Sequence, residues 1–262
     1  MRLPNTFSSF KESVRTAVIG RTRISALEAE GFTAVASLSV QTLYCAPRSP
    51  LTILKTPQNT PIAFISHHGL HHELTPTEVP NRAKIAALLS IVVRSIIAFS
   101  AVGSSREHIS PRDFVTLSQI IDRTKGIRAS TFFEGGLVGH VGFADPFDTG
   151  LAKAVFDIGS DGVLNGEGGS WGGDVINMST LPEAKLAKEA GVVYVMLCNM
   201  HANSANVKHL AAAILKESAK EEHQDLINAK HVEGSSKWAR YRAASEKRRG
   251  SKEDGVHPAG VL

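Results

Sequence analysis

Ile96-Ile97-Ala98-Phe99-Ser100 runs straight into Ala101-Val102-Gly103-Ser104. The first five residues read as a strand. The next four are small enough to turn the chain at the strand's carboxyl end. Taken alone, Ser100 is a strand-end serine and no more. What surrounds it gives the class of fold. Upstream, Asn81 to Ser90 reads as a helix with Asn81 as N-cap. Leu51 to Lys55 and Pro61 to Ser66 read as strands joined by the turn Gln58-Asn59-Thr60. Val14 to Ile19 is an apolar run ending at Gly20, the pattern of a buried strand. Downstream, Phe114 to Ile121 and Leu137 to Phe143 are expected to be strands, and Asp148 to Phe156 a helix. Gly159 to Gly173 is glycine-rich and without period. Asp174 to Met178 reads as a strand. Thr180 and Glu183 have the spacing of a capping box around Pro182. Val192 to Leu197 is a strand, and Val207 to Ala229 one long helix or two. Strands alternating with helices predict an α/β sandwich around a largely parallel sheet.

The composition sets limits on function. With 262 residues, 42% hydrophobic and 21% charged, the chain has the make-up of one well-packed domain or two small ones. Lys and Arg number 29 against 25 Asp and Glu, a net charge of +4, too small to imply nucleic-acid binding. Cys45 and Cys198 stand alone, with neither metal-ligand spacing nor a disulfide framework. No metal is expected. A reducing compartment is the simplest reading, cytoplasmic with the nucleus second. Ile85 to Val102 is broken by Ser90, Arg94, Ser95 and Ser100 and is not a membrane span. Met1 to Arg15 carries no secretory pattern, and Glu12 argues against a transit peptide. After Ala229 the chain turns basic, with Lys237, Arg240, Arg242, Lys247, Arg248, Arg249 and Lys252 close together. Residues 1–229 are expected to form the domain and 230–262 a disordered tail. Trp238 and Tyr241 could stack on nucleic acid from that tail, but a solvated tail is the favoured reading.

A set of segments resembles the methylthioadenosine phosphorylase branch of the purine nucleoside phosphorylase family. It comprises His68-Gly69 with His72, Pro80-Asn81-Arg82-Ala83, Ile97 to Ser104, Arg106-Glu107, Asp122-Arg123-Thr124, Thr131-Phe132-Phe133, His140, Ala144-Asp145-Pro146-Phe147, Ile176-Asn177-Met178-Ser179 and Pro182 to Ala187. In order, they span about two-thirds of the chain. The resemblance implies a three-layer α/β sandwich around a mixed, mostly parallel sheet, assembled as a homotrimer. It implies phosphate-dependent cleavage of S-methyl-5'-thioadenosine to adenine and 5-methylthioribose 1-phosphate. Inorganic phosphate is then the co-substrate, and no cofactor is needed. Such chemistry must fix a doubly charged anion beneath a sugar and stabilise charge on the departing base. Carried over, Thr22, His67, His68, Ser100, Ala101 and Ser179 fall at phosphate positions. Met178, His72 and His140 fall at substrate positions. Thr22, His68, Ser100 and Ser179 are expected to converge on one anion site.

The same resemblance marks departures. The family's glycine-rich first turn, Gly-Gly-Thr-Gly, is here Gly20-Arg21-Thr22-Arg23. The family pairs Arg with His in the next loop, and here the Arg position is His67. A neutral imidazole does not replace a guanidinium at phosphate, although a protonated one could bind. Restoring Arg at 67 is therefore expected to change phosphate affinity more than turnover. Two segments are absent, so the fold is truncated: one between Gly159 and Gly173, where Gly166 to Trp171 jumps to the next strand, and one after Cys198, where the family carries its purine-holding carboxylates. The catalytic acid is thus unknown. The alternative is a non-catalytic relative or mis-spliced product acting as a binding subunit.

Overall fold

Successive side chains on each central strand point to opposite faces of a sheet, and each face finds its own helices. The computed structural model describes residues 12–20, 27–110, 113–134, 138–158, 173–200, 204–218, 220 and 223–228. Its strands are β1 (Thr16–Gly20), β2 (Thr33–Leu38), β3 (Leu51–Lys55), β4 (Pro61–Ser66), β5 (Ser95–Ser104), β6 (Phe114–Thr116), β7 (Val175–Ile176) and β8 (Val193–Met200). Its helices are α1 (Asn81–Ser90), α2 (Thr149–Ile158), α3 (Thr180–Glu189), α4 (Ser204–Ser218) and α5 (Gln224–Ile227). The sheet order is β2-β3-β4-β1-β5-β8-β6, with β7 on β5. The centre is parallel (β4, β1, β5 and β8), and both edges are antiparallel.

Ala17, Ile19, Ile96, Ala98, Tyr194 and Met196 face α1 and α3 in one core, through Ile85, Leu88, Ala184 and Leu186. The residues between them, Val18, Ile97, Phe99, Val193, Val195 and Leu197, face α2 and α4 through Leu151, Val155, Ile214 and Leu215. This is the three-layer sandwich expected. It explains why the inner positions of the central strands are nearly all apolar: they are covered on both sides.

Several local expectations fail. β2 was not anticipated, because its small residues Ala34, Ala36 and Ser37 give neither a strict alternation nor a run of large apolar side chains, and it carries a bulge between Ala34 and Ala36. Phe114 to Ile121 is a strand only to Thr116, and residues 138–143 of the expected Leu137–Phe143 strand are in no strand. Asn81 does not cap α1: Pro80 holds that position, and the Asn81 amide turns back to donate to the Val79 carbonyl at 3.3 Å. The capping box is not formed either. Thr180 Oγ1 donates to Asn177 (2.9 Å), and Glu183 turns into the core. By contrast, of the two readings of Val207 to Ala229, one long helix or two, the structure has two, α4 and α5. The 230–262 tail lies outside the described residues.

Two helix ends show the same geometry with different residues. After α3, Gly191 (φ 69°) takes the left-handed position, and Val192 N–H closes onto the Ala187 carbonyl at 3.0 Å. After α1, Val92 takes it (φ 70°), and Val93 N–H closes onto the Leu88 carbonyl at 3.2 Å. A β-branched residue is strained there, whereas glycine is not. Val92→Gly is therefore expected to stabilise the fold by about 1 kcal/mol, read as a higher urea midpoint with unchanged slope. A lower midpoint would show that the left-handed turn is not where strain resides.

Candidate anion site at the carboxyl edge of the sheet

Because β4, β1, β5 and β8 are parallel, their carboxyl ends form one edge. The turn after β4 delivers His67 and His68 to it, and β5 delivers Ser100 and Ala101. Where a turn at Ala101 to Ser104 was expected, the strand runs on, because Ala101 and Val102 stay paired to β8 and Gly103 and Ser104 pair with β7. Ser179 arrives from a different direction, on the turn between β7 and α3. It is carried there because β7 pairs with Gly103 and Ser104.

The Oγ atoms of Ser100 and Ser179 lie 2.9 Å apart. Residues 79 apart in sequence thus present two rotatable hydroxyls at one point. Asn177 holds them. Its Nδ2 donates to Ser100 Oγ at 2.8 Å. Its Oδ1 accepts the N–H groups of Ser179 (2.7 Å) and Thr180 (2.8 Å). The Arg128 Nη1 donates to the carbonyls of Met178 (2.7 Å) and Leu181 (2.6 Å), clamping the turn on both sides of Ser179. Neither Asn177 nor Arg128 was singled out as a site residue. Asn177 stood inside a matched segment, but only the turn geometry gives it this task.

His67, His68 and His72 form a second group. Ring centroids are 5.3 Å apart for His67 and His68, and 4.7 Å for His68 and His72. Ser66 Oγ donates to the Gly69 carbonyl at 2.5 Å, and His68 Nδ1 lies 3.0 Å from the Leu74 carbonyl. Gly69 has φ 86°, and a Cβ there would collide with the Glu73 carboxylate. The turn is therefore tight and specific to glycine.

His67 does not face outward as an anion ligand would. It is 4% exposed. Its Nδ1 lies 3.3 Å from Lys84 Nζ and 3.6 Å from Glu183 Oε2. The lysine and the carboxylate form a buried salt bridge, and Tyr194 OH donates to Glu183 Oε1 at 2.7 Å. Burial pushes the His67 pKa from 6.5 down to about 3, so the ring is neutral. Burial alone would raise that of Glu183, but Lys84 and the hydrogen bonds of Lys84 and Tyr194 bring it below the usual carboxylate value. With Lys84 donating to Nδ1, the ring proton sits on Nε2, which is buried without a partner.

The remaining candidates do not join these groups. Met178 is 69% exposed. His140 lines a separate cleft of about 520 Å³ with Thr131, Phe133, Lys185 and Glu189, and no other candidate lines it. Thr22 falls outside the described residues, as does 159–172, where the first missing segment is expected. Among the described residues no cluster of His, Cys, Asp or Glu could hold a metal ion. No helix of the described residues is long and apolar enough to cross a membrane.

Comparison with known proteins agrees with the fold. Residues 47–168 match the phosphorylase superfamily model. An S-methyl-5'-thioadenosine phosphorylase of Tuber melanosporum is 69% identical, over 91% of this chain and 92% of its own. The chain belongs to the S-methyl-5'-thioadenosine phosphorylase family. The phosphorylase of Aspergillus fumigatus is 47% identical, over 90% of this chain and 82% of its own. A methylthioadenosine phosphorylase structure from an Antarctic soil metagenomic library superposes with a TM-score of 0.65 at 30% identity, over 86% of this chain and 88% of that one. The Schistosoma mansoni enzyme bound to tubercidin shares the fold, with a TM-score of 0.66 at 22% identity. The alignment to the Tuber relative runs over 287 positions, more than the 262 residues of this chain, so it opens gaps here.

A histidine whose folded pKa is depressed binds fewer protons when folded than when unfolded. Its contribution is full above pH 6.5 and is lost as pH falls toward about 3. Stability is expected to drop between pH 6 and 5 with a His67 component approaching about 1.4 kcal/mol per pH unit. Urea unfolding at pH 7, 6 and 5 should show this slope, and His67→Asn should remove that component. An equal slope in both proteins would mean that His67 titrates normally.

Proposed function

We propose that this chain catalyses phosphorolysis of S-methyl-5'-thioadenosine, giving adenine and 5-methylthioribose 1-phosphate, in methionine and purine salvage. The observation that carries the reading is the hydroxyl pair of Ser100 and Ser179, set where β5 meets the turn between β7 and α3 in a chain 69% identical to such an enzyme. Phosphate oxygens take the two hydroxyls, the Ala101 N–H, His68 and Thr22, while neutral His67 lies behind the turn. Met178 packs under the ribose and His72 lies toward the thioether end; His140, whose cleft is separate, has no part in this reading. Phosphate oxygen bonds to the anomeric carbon as the bond to the purine nitrogen breaks, and the purine must take up a proton as it leaves. No carboxylate of this chain is assigned that task.

Turnover is accordingly low in this reading, since loss of a general acid removes on the order of 10²- to 10⁴-fold in rate. The gaps opened by the Tuber alignment support it. The second reading, a non-catalytic relative that binds phosphate or caps an intact subunit, draws on the same gaps. Self-association as a homotrimer is part of the proposal, supported by the exposed apolar side chains of Ile127 and Ile176. So is a cytoplasmic location with a nuclear fraction. Nucleic acid is not a partner in this reading.

The test is adenine release from methylthioadenosine with and without phosphate. It compares this chain with a version carrying the two absent segments of the Tuber relative. The restored version should be faster by about 100-fold or more, and both should depend on phosphate. Ser179→Ala in the restored version should raise KM for phosphate more than it lowers kcat. Release that ignores phosphate would remove the phosphorylase reading. Turnover within a few-fold of the restored version would show that another carboxylate supplies the proton.

A further inference from the structure

Four elements meet at one buried carboxylate. Glu183 from α3 is fully buried and receives Lys84 from α1 and Tyr194 from β8, while His67 from the end of β4 lies 3.6 Å away. The charges in this pocket are few. One carboxylate faces one ammonium, the imidazole between them is neutral, and Arg48, which borders the neighbouring space, is exposed to solvent. Little solvent could screen a further charge: the space beside His67 and Lys84, bounded by Arg48, Ser66 and Gly69, is about 10 Å³, room for about one water molecule. Burying a second cation here would leave it without a counter-ion, and removing the first would strand Glu183.

We infer that Lys84 and residue 67 share a single buried cation position opposite Glu183, which makes Lys84 a positioning residue for the Ser66–Gly69 turn. Lys84 holds Glu183 and donates to His67 Nδ1, and so fixes the turn that carries His68. An arginine at 67 is accommodated only if Lys84 gives up its charge. The expectation from sequence, that His67→Arg alone would change phosphate affinity more than turnover, is therefore replaced by a paired requirement. The inference rests on the phosphate reading only for its effect on anion affinity; the shared cation position stands without it.

A double-mutant cycle tests this on the full chain. Urea unfolding is measured for the parent, His67→Arg, Lys84→Met and the combined variant. Each single substitution is expected to lower the folded-to-unfolded ratio by about 100-fold or more. The combined variant should recover more than half of the summed loss, on a logarithmic scale. Recovery of less than half would overturn the shared position. Where a single variant does not fold, folding of the combined variant supports the inference and its failure overturns it. Lys84→Arg, which keeps the charge, should stay within tenfold of the parent, and a loss as large as that of Lys84→Met would count against a charge-based role. Midpoints are also compared in inorganic phosphate and in chloride of equal ionic strength. The phosphate-specific shift of the combined variant should exceed that of the parent. An equal shift in the two, where the parent does shift, would overturn the link between residue 67 and the anion. No shift in either, with the cycle still coupled, would sink the phosphate reading and leave the cation position standing.

Discussion

A carboxylate that is removed from water must be neutralised and hydrogen-bonded where it stands, and Glu183 shows what that demands. Lys84 supplies the charge and Tyr194 a hydrogen bond, and each comes from a different element. The pair therefore does more than cancel its own desolvation. It ties α1, α3 and β8 at one point and sets the end of β4 against them through His67. A hydrophobic replacement of similar volume could hold the same elements together. It could not hold His67 in one tautomer or the turn behind it in one place.

The sheet does the rest of the positioning. Parallel pairing of β4, β1, β5 and β8 puts four strand ends on one edge, and the antiparallel pairing of β7 to Gly103 and Ser104 returns the chain to it. Ser100 and Ser179 meet for that reason and not through any local motif. Asn177 and Arg128 then fix the returning turn through its backbone, so the two hydroxyls are held while remaining free to rotate. Rigid support beneath rotatable donors suits an anion that arrives and leaves.

The histidines behave differently from one another although they are close in sequence. His67 and His68 are adjacent, yet the first points into the core and is kept neutral by burial, while the second lies partly open above the turn. Substitution at a site therefore cannot be judged by residue type alone. The same imidazole is a switchable cation at the surface and a fixed neutral acceptor inside.

The apolar runs at Val14 to Ile19, Pro61 to Ser66, Ile96 to Ser100 and Val192 to Leu197 were legible as strands because burial on both faces favours apolar side chains at consecutive positions. The α/β class follows from them, and the ordered matched segments gave the family. Sequence could not show β2, whose stability comes from pairing with β3, nor could it show that residues 138–143 form no strand despite their apolar content. It misassigned Asn81 and Glu183 as caps, since spacing reports local hydrogen bonds and both side chains are drawn elsewhere by contacts across the fold. It named Ser100 and Ser179 but not the 2.9 Å between them, and it named His67 without its orientation. Periodicity is a one-dimensional record of burial and survives in the sequence. Which charge faces which, and which way a ring turns, depends on residues up to 99 positions apart, as with Lys84 and Glu183, and exists only once the chain is folded.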